Sequence, residues 1–255
     1  FCATSATRRC DGRLFGSKGI TMIRLFVSND LTQGAQFPAT EPQYHYLAHV
    51  MRAAIGDDVL LFNGRDGEWQ VKIIEITKKM LVFMPEYQTR PQSDEAPATS
   101  RLYFAPIKKD KMEFVIQKAT ELGVGALCPV LTAHAVVDKV NQDKMHLQAV
   151  EAAEQSERLS VPEVLPLVSL KQLLATWQSG TLYVLSERDE STDTIDANAP
   201  AAFLVGPEGG FAKEELMLLK AHPFVRFIHL GRRILRAETA SVVILSVWNH
   251  LTGWR

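Results

Sequence analysis

From Met22 onward, apolar and polar positions alternate in two different styles. Up to residue 87 the apolar runs are short and close together. "IRLFV" (23–27) predicts a strand and "YHYLAHVMRA" (44–53) a short helix, with Gly56 near its end. "DVLLFN" and "EWQVKIIEI" flank "GRDG", so two β-prone runs separated by Gly-rich turn chemistry predict a hairpin over 58–76. "MLVFMPEY" (80–87) adds a further strand. Short strands at close spacing predict a small barrel. "QTRPQSDEAPATS" (88–100) is rich in Pro, Ser and acid, has no period, and reads as a linker.

Beyond residue 100 strands and helices alternate. "RLYFAPI" (101–107) predicts a strand. Asp110, with Glu113 three residues on, predicts a capped helix start. Met112, Val115, Ile116, Ala119 and Leu122 form one stripe, ended by Gly123. "ALCPVL" (126–131) is a strand, and residues 142–158 a helix on which Glu154 and Arg158 pair across one turn. Ser169 caps a short helix reaching Trp177, and "LYVLSE" (182–187) is a strand. "SERDESTDTIDANAP" (186–200) is a polar, acidic loop. "AAFLV" (201–205), "FIHLG" (227–231) and the closing helix "TASVVILSVWNHL" (239–251) are apolar nearly throughout. Strands without alternation are covered on both faces, which predicts a parallel sheet with helices on each side. The expected divisions are a disordered extension or start artefact at 1–21, a barrel at 22–87, a linker at 88–100 and an α/β domain at 101–255.

Composition narrows the partners. The chain of 255 residues has 46% hydrophobic residues and a net charge of −1, so a bound nucleic acid must meet a local patch rather than a general field. Residues 23–100 are net acidic, at −3. No apolar run approaches the roughly 20 residues of a membrane span. Cys2, Cys10 and Cys128 form neither a zinc pattern nor a disulfide framework, which fits a reducing, cytoplasmic setting. The scattered histidines suggest no metal. The first 21 residues lack the hydrophobic stretch of a secretory signal and only faintly resemble a transit peptide. They read as a remnant or an over-extended start, with Met22 the true beginning.

Two segments carry candidate chemistry. "LVGPEGGF" (204–211) follows a buried strand and precedes a helix, "KEELMLLK". Its glycines let backbone approach a ligand at a strand end, where open α/β sheets bind. A plain tight turn is the equal alternative. The segment is neither a Walker loop nor a GxGxxG fingerprint. "LGRRILRAETA" (230–240) sets Arg232, Arg233 and Arg236 between an apolar strand and an apolar helix. "EAAEQSERLSVPEV" (151–164) and the Lys118–Glu121 pair read, taken alone, as solvated helix faces.

Together, "QKATELGV", "EAAEQSERLSVPEV", "VGPEGGF" and "LGRRILRAETA", in this order and spacing, resemble the ribosomal RNA small subunit methyltransferase E family, of the SPOUT class. "IRLFV", "HYLAHVMR" and "GDDVLLFNGRDGEW" resemble that family's PUA-like barrel, so the resemblance spans residues 22–255. It implies a trefoil-knotted parallel sheet with helices on both faces, a homodimer, and S-adenosylmethionine (SAM) as cofactor. It further implies methylation at N3 of a uridine in the decoding region of small-subunit rRNA, naked or assembled. The cofactor-binding residues so implied are Leu204, Gly206, Pro207, Glu208, Gly209, Gly210, Leu230, Gly231, Ile234, Leu235, Arg236, Thr239 and Ala240. Negative charge spreads onto the uracil carbonyls as N3 attacks a methyl group. Arg236 is the candidate to stabilise it. The ordinary alternative is an Arg236–Glu238 or interdomain salt bridge. Glu208 and Glu238 are candidate bases, with water as the alternative. Arg24, Arg52, Lys108, Lys109, Lys111, Arg158, Arg232 and Arg233 are candidate RNA contacts. Ala133 and His134 depart from the family's usual pattern, and the helix at 144–155 lacks its usual tryptophan; both are expected to lie outside the cofactor loops. Two rival readings stand: a SPOUT enzyme acting on tRNA or another base, and a non-catalytic RNA-binding module.

Overall fold

The computed structural model describes residues 22–186 and 193–253. Expectations for residues 1–21, and for part of the acidic loop, lie outside the described residues.

The first unit is a five-stranded sheet of β1 (Arg24–Phe26), β2 (Phe37–Pro38), β3 (Asp58–Phe62), β4 (Glu68–Ile76) and β5 (Leu81–Arg90), in the order β1-β3-β4-β5-β2. The expected hairpin is β3–β4, paired antiparallel from Asp58↔Lys72 to Phe62↔Glu68. Its turn is held by Asn63 Oδ1, which accepts the Arg65 and Asp66 amides. Three register shifts between β4 and β5 bend the sheet around a core that includes Leu47, Leu61, Ile73 and Phe83. The expected helix over 44–53 divides in two. A short α1 (Glu41–Tyr44) passes into a π-helical turn, His45–Val50, where the Met51 amide donates to Tyr46 O. It ends before Arg52, an exposed residue at φ 55°. β5 also runs on to Arg90, so the expected linker begins as strand.

The second unit holds β6 (Ser100–Phe104), β7 (Ala126–Leu131), β8 (Glu163–Val164), β9 (Val168–Ser169), β10 (Thr181–Leu185), β11 (Ala201–Val205) and β12 (Val225–Ile228). All pairings are parallel, in the order β12-β10-β11-β6-β7-β8, with β9 beside β7. On one face lie α2 (Lys109–Glu121), α3 (Gln142–Gln155) and α6 (Ala237–Thr252). Their Ile116, Ala149, Ile244 and Trp248 pack with Leu102, Phe203 and Val205. On the other face Leu173 and Leu174 of α4 (Leu170–Ala175) and Leu219 of α5 (Lys213–Lys220) pack with Val130, Val184 and Leu204. The parallel sheet covered on both faces is as the apolar runs predict.

Helix ends differ from expectation for local reasons. α2 starts after Lys108, which makes no side-chain cap. Asp110 sits inside the first turn and favours the helix through its positive end, while Glu113 pairs with Lys144 at 2.6 Å. Ser169 does cap α4, accepting the Gln172 amide at 3.1 Å. α3 stops at Gln155, three residues early, and Glu157 takes φ 58°. Glu154 and Arg158 therefore do not pair. Glu154 accepts the Phe26 amide of β1 at 2.9 Å, and Arg158 turns inward to Thr120 O and Val124 O, with Glu95 3.8 Å away.

The segment read as a solvated helix face is thus the seam between the two units. Arg24 of β1 is buried there. It pairs with Glu68 at 2.6 Å, donates to Ala153 O at 3.0 Å and to Arg158 O, and stacks over Phe62. The carbonyls at the end of α3 carry the negative end of the helix dipole, so a cation suits that position. Burial lowers the Arg24 pKa, and the hydrogen bond and charge of Glu68 oppose that shift. Arg24 and Arg158 are accordingly corrected: their guanidinium groups are spent inside the protein and do not offer themselves to RNA.

Candidate active site

Adjacent strands β10, β11 and β12 end together, and the segments leaving them enclose a cavity of about 360 Å³. Leu185 ends β10 and Ser186 follows it, residues 206–211 follow β11, and residues 229–236 lead from β12 into α6. The glycine segment contributes closely approaching backbone. Gly210 has φ +69°, a conformation that side-chain-bearing residues rarely adopt. A Cβ at Gly209 would lie 3.3 Å from the Cβ of His134. His134 Nδ1 is 3.1 Å from Gly210 O, where it donates when protonated at that nitrogen. Glu215 accepts the Ala133 amide at 2.8 Å and the Ala212 amide at 2.9 Å, fixing the same loop from its other end. Ala133 and His134 lie outside the glycine segment and do not line the cavity, as expected, but they brace that segment from behind.

The apolar wall comes from Leu230, Leu235, Ala237 and Ala240, with Phe211 and Leu216 opposite in sequence. Ile234 also lines the cavity but is 76% exposed. Two expected residues are corrected. Leu204 points to the other side of β11, into the α4–α5 core, because neighbouring residues of a strand face opposite ways. Thr239 is exposed and does not line the cavity. Leu185, Ser186 and His229 do line it, and Arg233 joins the wall rather than standing only at the rim. Only the strand order, which puts β10 between β11 and β12, could have revealed Leu185 and Ser186.

Arg236 is the residue capping α6, with its Ala240-bonded carbonyl committed to the helix and its side chain exposed. Among the described residues Arg232, Arg233 and Arg236 make no ion pair. The salt bridge that would have made Arg236 structural does not form. Glu238 instead lies 3.6 Å from Lys111, which also holds Glu208 at 2.8 Å. The hydrogen bond from Lys111 keeps the Glu208 carboxyl below its ordinary pKa, and Lys111 is raised in turn. Both carboxylates read as bases are thus engaged by one ammonium. Lys111, read as an RNA contact, is corrected: it faces acids. Lys108 and Lys109 are exposed nearby.

Comparison with known proteins bears on this geometry. Residues 94–249 match the model of the RNA methyltransferase domain, and residues 39–83 that of the RNA methyltransferase PUA domain. The ribosomal RNA small subunit methyltransferase E of Rickettsia conorii is 32% identical over 230 residues, covering 88% of this chain and 93% of that protein. The chain belongs to the ribosomal RNA small subunit methyltransferase E family. The family member from Bacillus subtilis is 29% identical, with 91% of this chain and 97% of that protein covered. The Neisseria gonorrhoeae member, solved bound to S-adenosyl methionine, superposes with a TM-score of 0.81 at 26% identity, over 90% of this chain and 98% of that one. A Legionella pneumophila protein solved with bound SAM gives 0.80 at 28%, over 91% and 98%. The PUA-like unit followed by the parallel-sheet RNA methyltransferase domain is therefore the family architecture.

Proposed function

We propose that this chain methylates N3 of a uridine in the decoding region of small-subunit rRNA, using SAM. One observation carries the reading: a glycine-lined cavity at the strand ends opens beside Arg236, a guanidinium without an ion-pair partner among the described residues. The cavity suits the cofactor. Backbone of 206–210 offers polar groups without side chains in the way, and Leu230, Leu235 and Ala240 offer an apolar wall. When bound, SAM supplies an electrophilic methyl group.

The chain's own residues do the rest. N3 of uridine carries a proton and is a poor nucleophile while neutral. Arg236 stabilises the negative charge that develops on the flanking carbonyl oxygens, and no described carboxylate pairs with it to diminish its own charge. Glu208 is a weak base, since Lys111 holds it ionised and low in pKa; the proton leaves to Glu238 or to water. Arg232 and Arg233, with exposed Lys108, Lys109 and Arg52, grip phosphates and hold the unstacked base at the cavity mouth. The knotted threading of the C-terminal segment, a homodimer and a cytoplasmic site belong to the same reading. Phe114 of α2 and Leu251 of α6, exposed apolar side chains on neighbouring helices, support the dimer. No described helix is long and apolar enough to cross a membrane.

The test is transfer of labelled methyl from SAM to purified small subunits, with Arg236→Ala as control. Transfer by the natural protein and its loss in the variant support the reading. No transfer to small subunits, with transfer to tRNA instead, overturns it.

A further inference from the structure

The reading above leaves Lys111 without a task. It stands in the first turn of α2, and its ammonium reaches Glu208 on the glycine segment and Glu238 in the first turn of α6. Glu208 lines the cavity, and Glu238 sits in the turn whose Arg236, Ala237 and Ala240 line it from α6. The helix behind Lys111 is rigid: Val115 and Ile116 of α2 are fully buried against Ile244 and Leu245 of α6. A cation fixed to such a platform can hold the glycine segment and the first turn of α6 in register.

The contacts are unequal. Glu208 receives a hydrogen bond at 2.8 Å, whereas Glu238 Oε1, at 3.6 Å, is held by charge alone. Glu238 Oε2 is buried and has no hydrogen-bond partner among the described residues. A buried carboxylate oxygen without a hydrogen bond relies on the nearby ammonium to hold the group in place. Glu238 lies two residues after Arg236, so any displacement of its turn displaces the guanidinium as well.

We propose that Lys111 is a positioning residue for methyl transfer: it ties the glycine segment to the first turn of α6 and thereby sets where Arg236 stands. This rests on the functional reading above. Lys111 itself touches neither base nor phosphate. Its ammonium faces two acids, so an RNA phosphate brought to it would meet Glu208 and Glu238 as well. The other charges facing this cluster are Lys108 at the start of α2, which acts on Glu208, and Arg236 on α6, which acts on Lys111. Without Lys111 they leave two acids with weaker compensation, and Glu208 keeps its proton to higher pH.

The test uses the full chain, with Lys111→Met, Lys111→Arg and the natural protein. Single-turnover transfer to small subunits at saturating SAM is followed across the acidic range, and SAM affinity is measured by calorimetry. A misplacement of about 1 Å costs on the order of 100-fold in rate. Lys111→Met is expected to lose about that much, to bind SAM within a few fold of normal, and to show its acid limb at higher pH. Lys111→Arg recovers most of the rate. A merely structural lysine would change the amount of active protein but not the pH limb. Transfer by Lys111→Met at the natural rate, or slower transfer with an unmoved limb, overturns the proposal. Should that variant not fold, Glu208→Gln breaks the same bridge from its exposed end; slower transfer then supports the proposal and an unchanged rate overturns it. If the natural protein itself methylates nothing, the functional reading fails. If it is active and Lys111→Met is unaffected, only the positioning role fails.

Discussion

At the residue scale, Arg236 is the side chain whose freedom has a consequence. Its guanidinium is exposed, caps α6 through its backbone, and leaves Glu238 to Lys111. Arg236→Ala is therefore expected to keep SAM affinity while single-turnover transfer falls about 100–1000-fold, the usual cost of removing one transition-state donor. A rate within a few fold of normal would return Arg236 to a structural role. Gly209 is tested through its neighbour. Gly209→Val pushes into His134, and overpacking of this kind costs about 1–3 kcal/mol, which taken out of binding is about 5- to 150-fold in SAM affinity. Adding His134→Ala should restore part of the loss; no restoration would show that the clash is not the cause. The glycines and arginines of this site were legible because Gly-rich and Arg-rich segments between apolar elements are rare and chemically pointed. Leu204 was misread because β11 is apolar on both faces, which hides its alternation. Arg24 was misread because nothing in "IRLFV" reveals that Glu68 and the end of α3 close over it.

At the scale of elements, strand–helix identity was largely written in the apolar runs. β7, β11 and α5 fall on "ALCPVL", "AAFLV" and "KEELMLLK" residue for residue. Ends were less legible, since they depend on tertiary partners. α3 stops early where Arg24 bonds Ala153 O in its last turn and Arg158 O just beyond it, and Glu157 takes a positive φ. Arg24→Met should accordingly destabilise the protein by about 3 kcal/mol in denaturant unfolding, since it leaves buried Glu68 only the more distant Arg90, 4.0 Å away. A loss below 1 kcal/mol would mean the seam does not depend on this pair. The β3–β4 turn makes a pH prediction. Asp66 accepts the Leu31 amide at 2.9 Å and Asn63 Nδ2 at 2.7 Å, and these bonds lower its pKa. A carboxyl lowered in the folded state contributes stability above its unfolded pKa and loses it as pH falls through the folded one. Stability should therefore drop on acidification, and Asp66→Asn, which loses about 2 kcal/mol at neutral pH, should flatten that limb. An unchanged acid limb in the variant would assign the dependence to other carboxyls.

For the whole molecule, the seam makes the two units one instrument. Arg24 and Phe26 meet the end of α3, Arg90 donates to Glu157 O at 2.9 Å, and Glu95 accepts the Ser160 hydroxyl and the Leu159 amide. Reversing the charge of Arg24 is thus expected to damage folding without changing the salt slope of RNA binding. Arg232→Glu with Arg233→Glu should lower that slope by about one to two, since each lost phosphate contact removes about 0.7–0.9. An unchanged slope in the double variant would move the RNA face elsewhere. The order of strands, and with it the meeting of β10, β11 and β12, could not be read along the chain; it exists only once the sheet is assembled. The account as a whole turns on which atom receives the methyl group. Small subunits lacking the modification, incubated with the chain and SAM, can be digested and the methylated nucleoside identified by mass spectrometry against standards. The account predicts N3-methyluridine from one decoding-region position. A methyl group on a ribose 2′-hydroxyl, on another base, or on no nucleoside of the small subunit would contradict it.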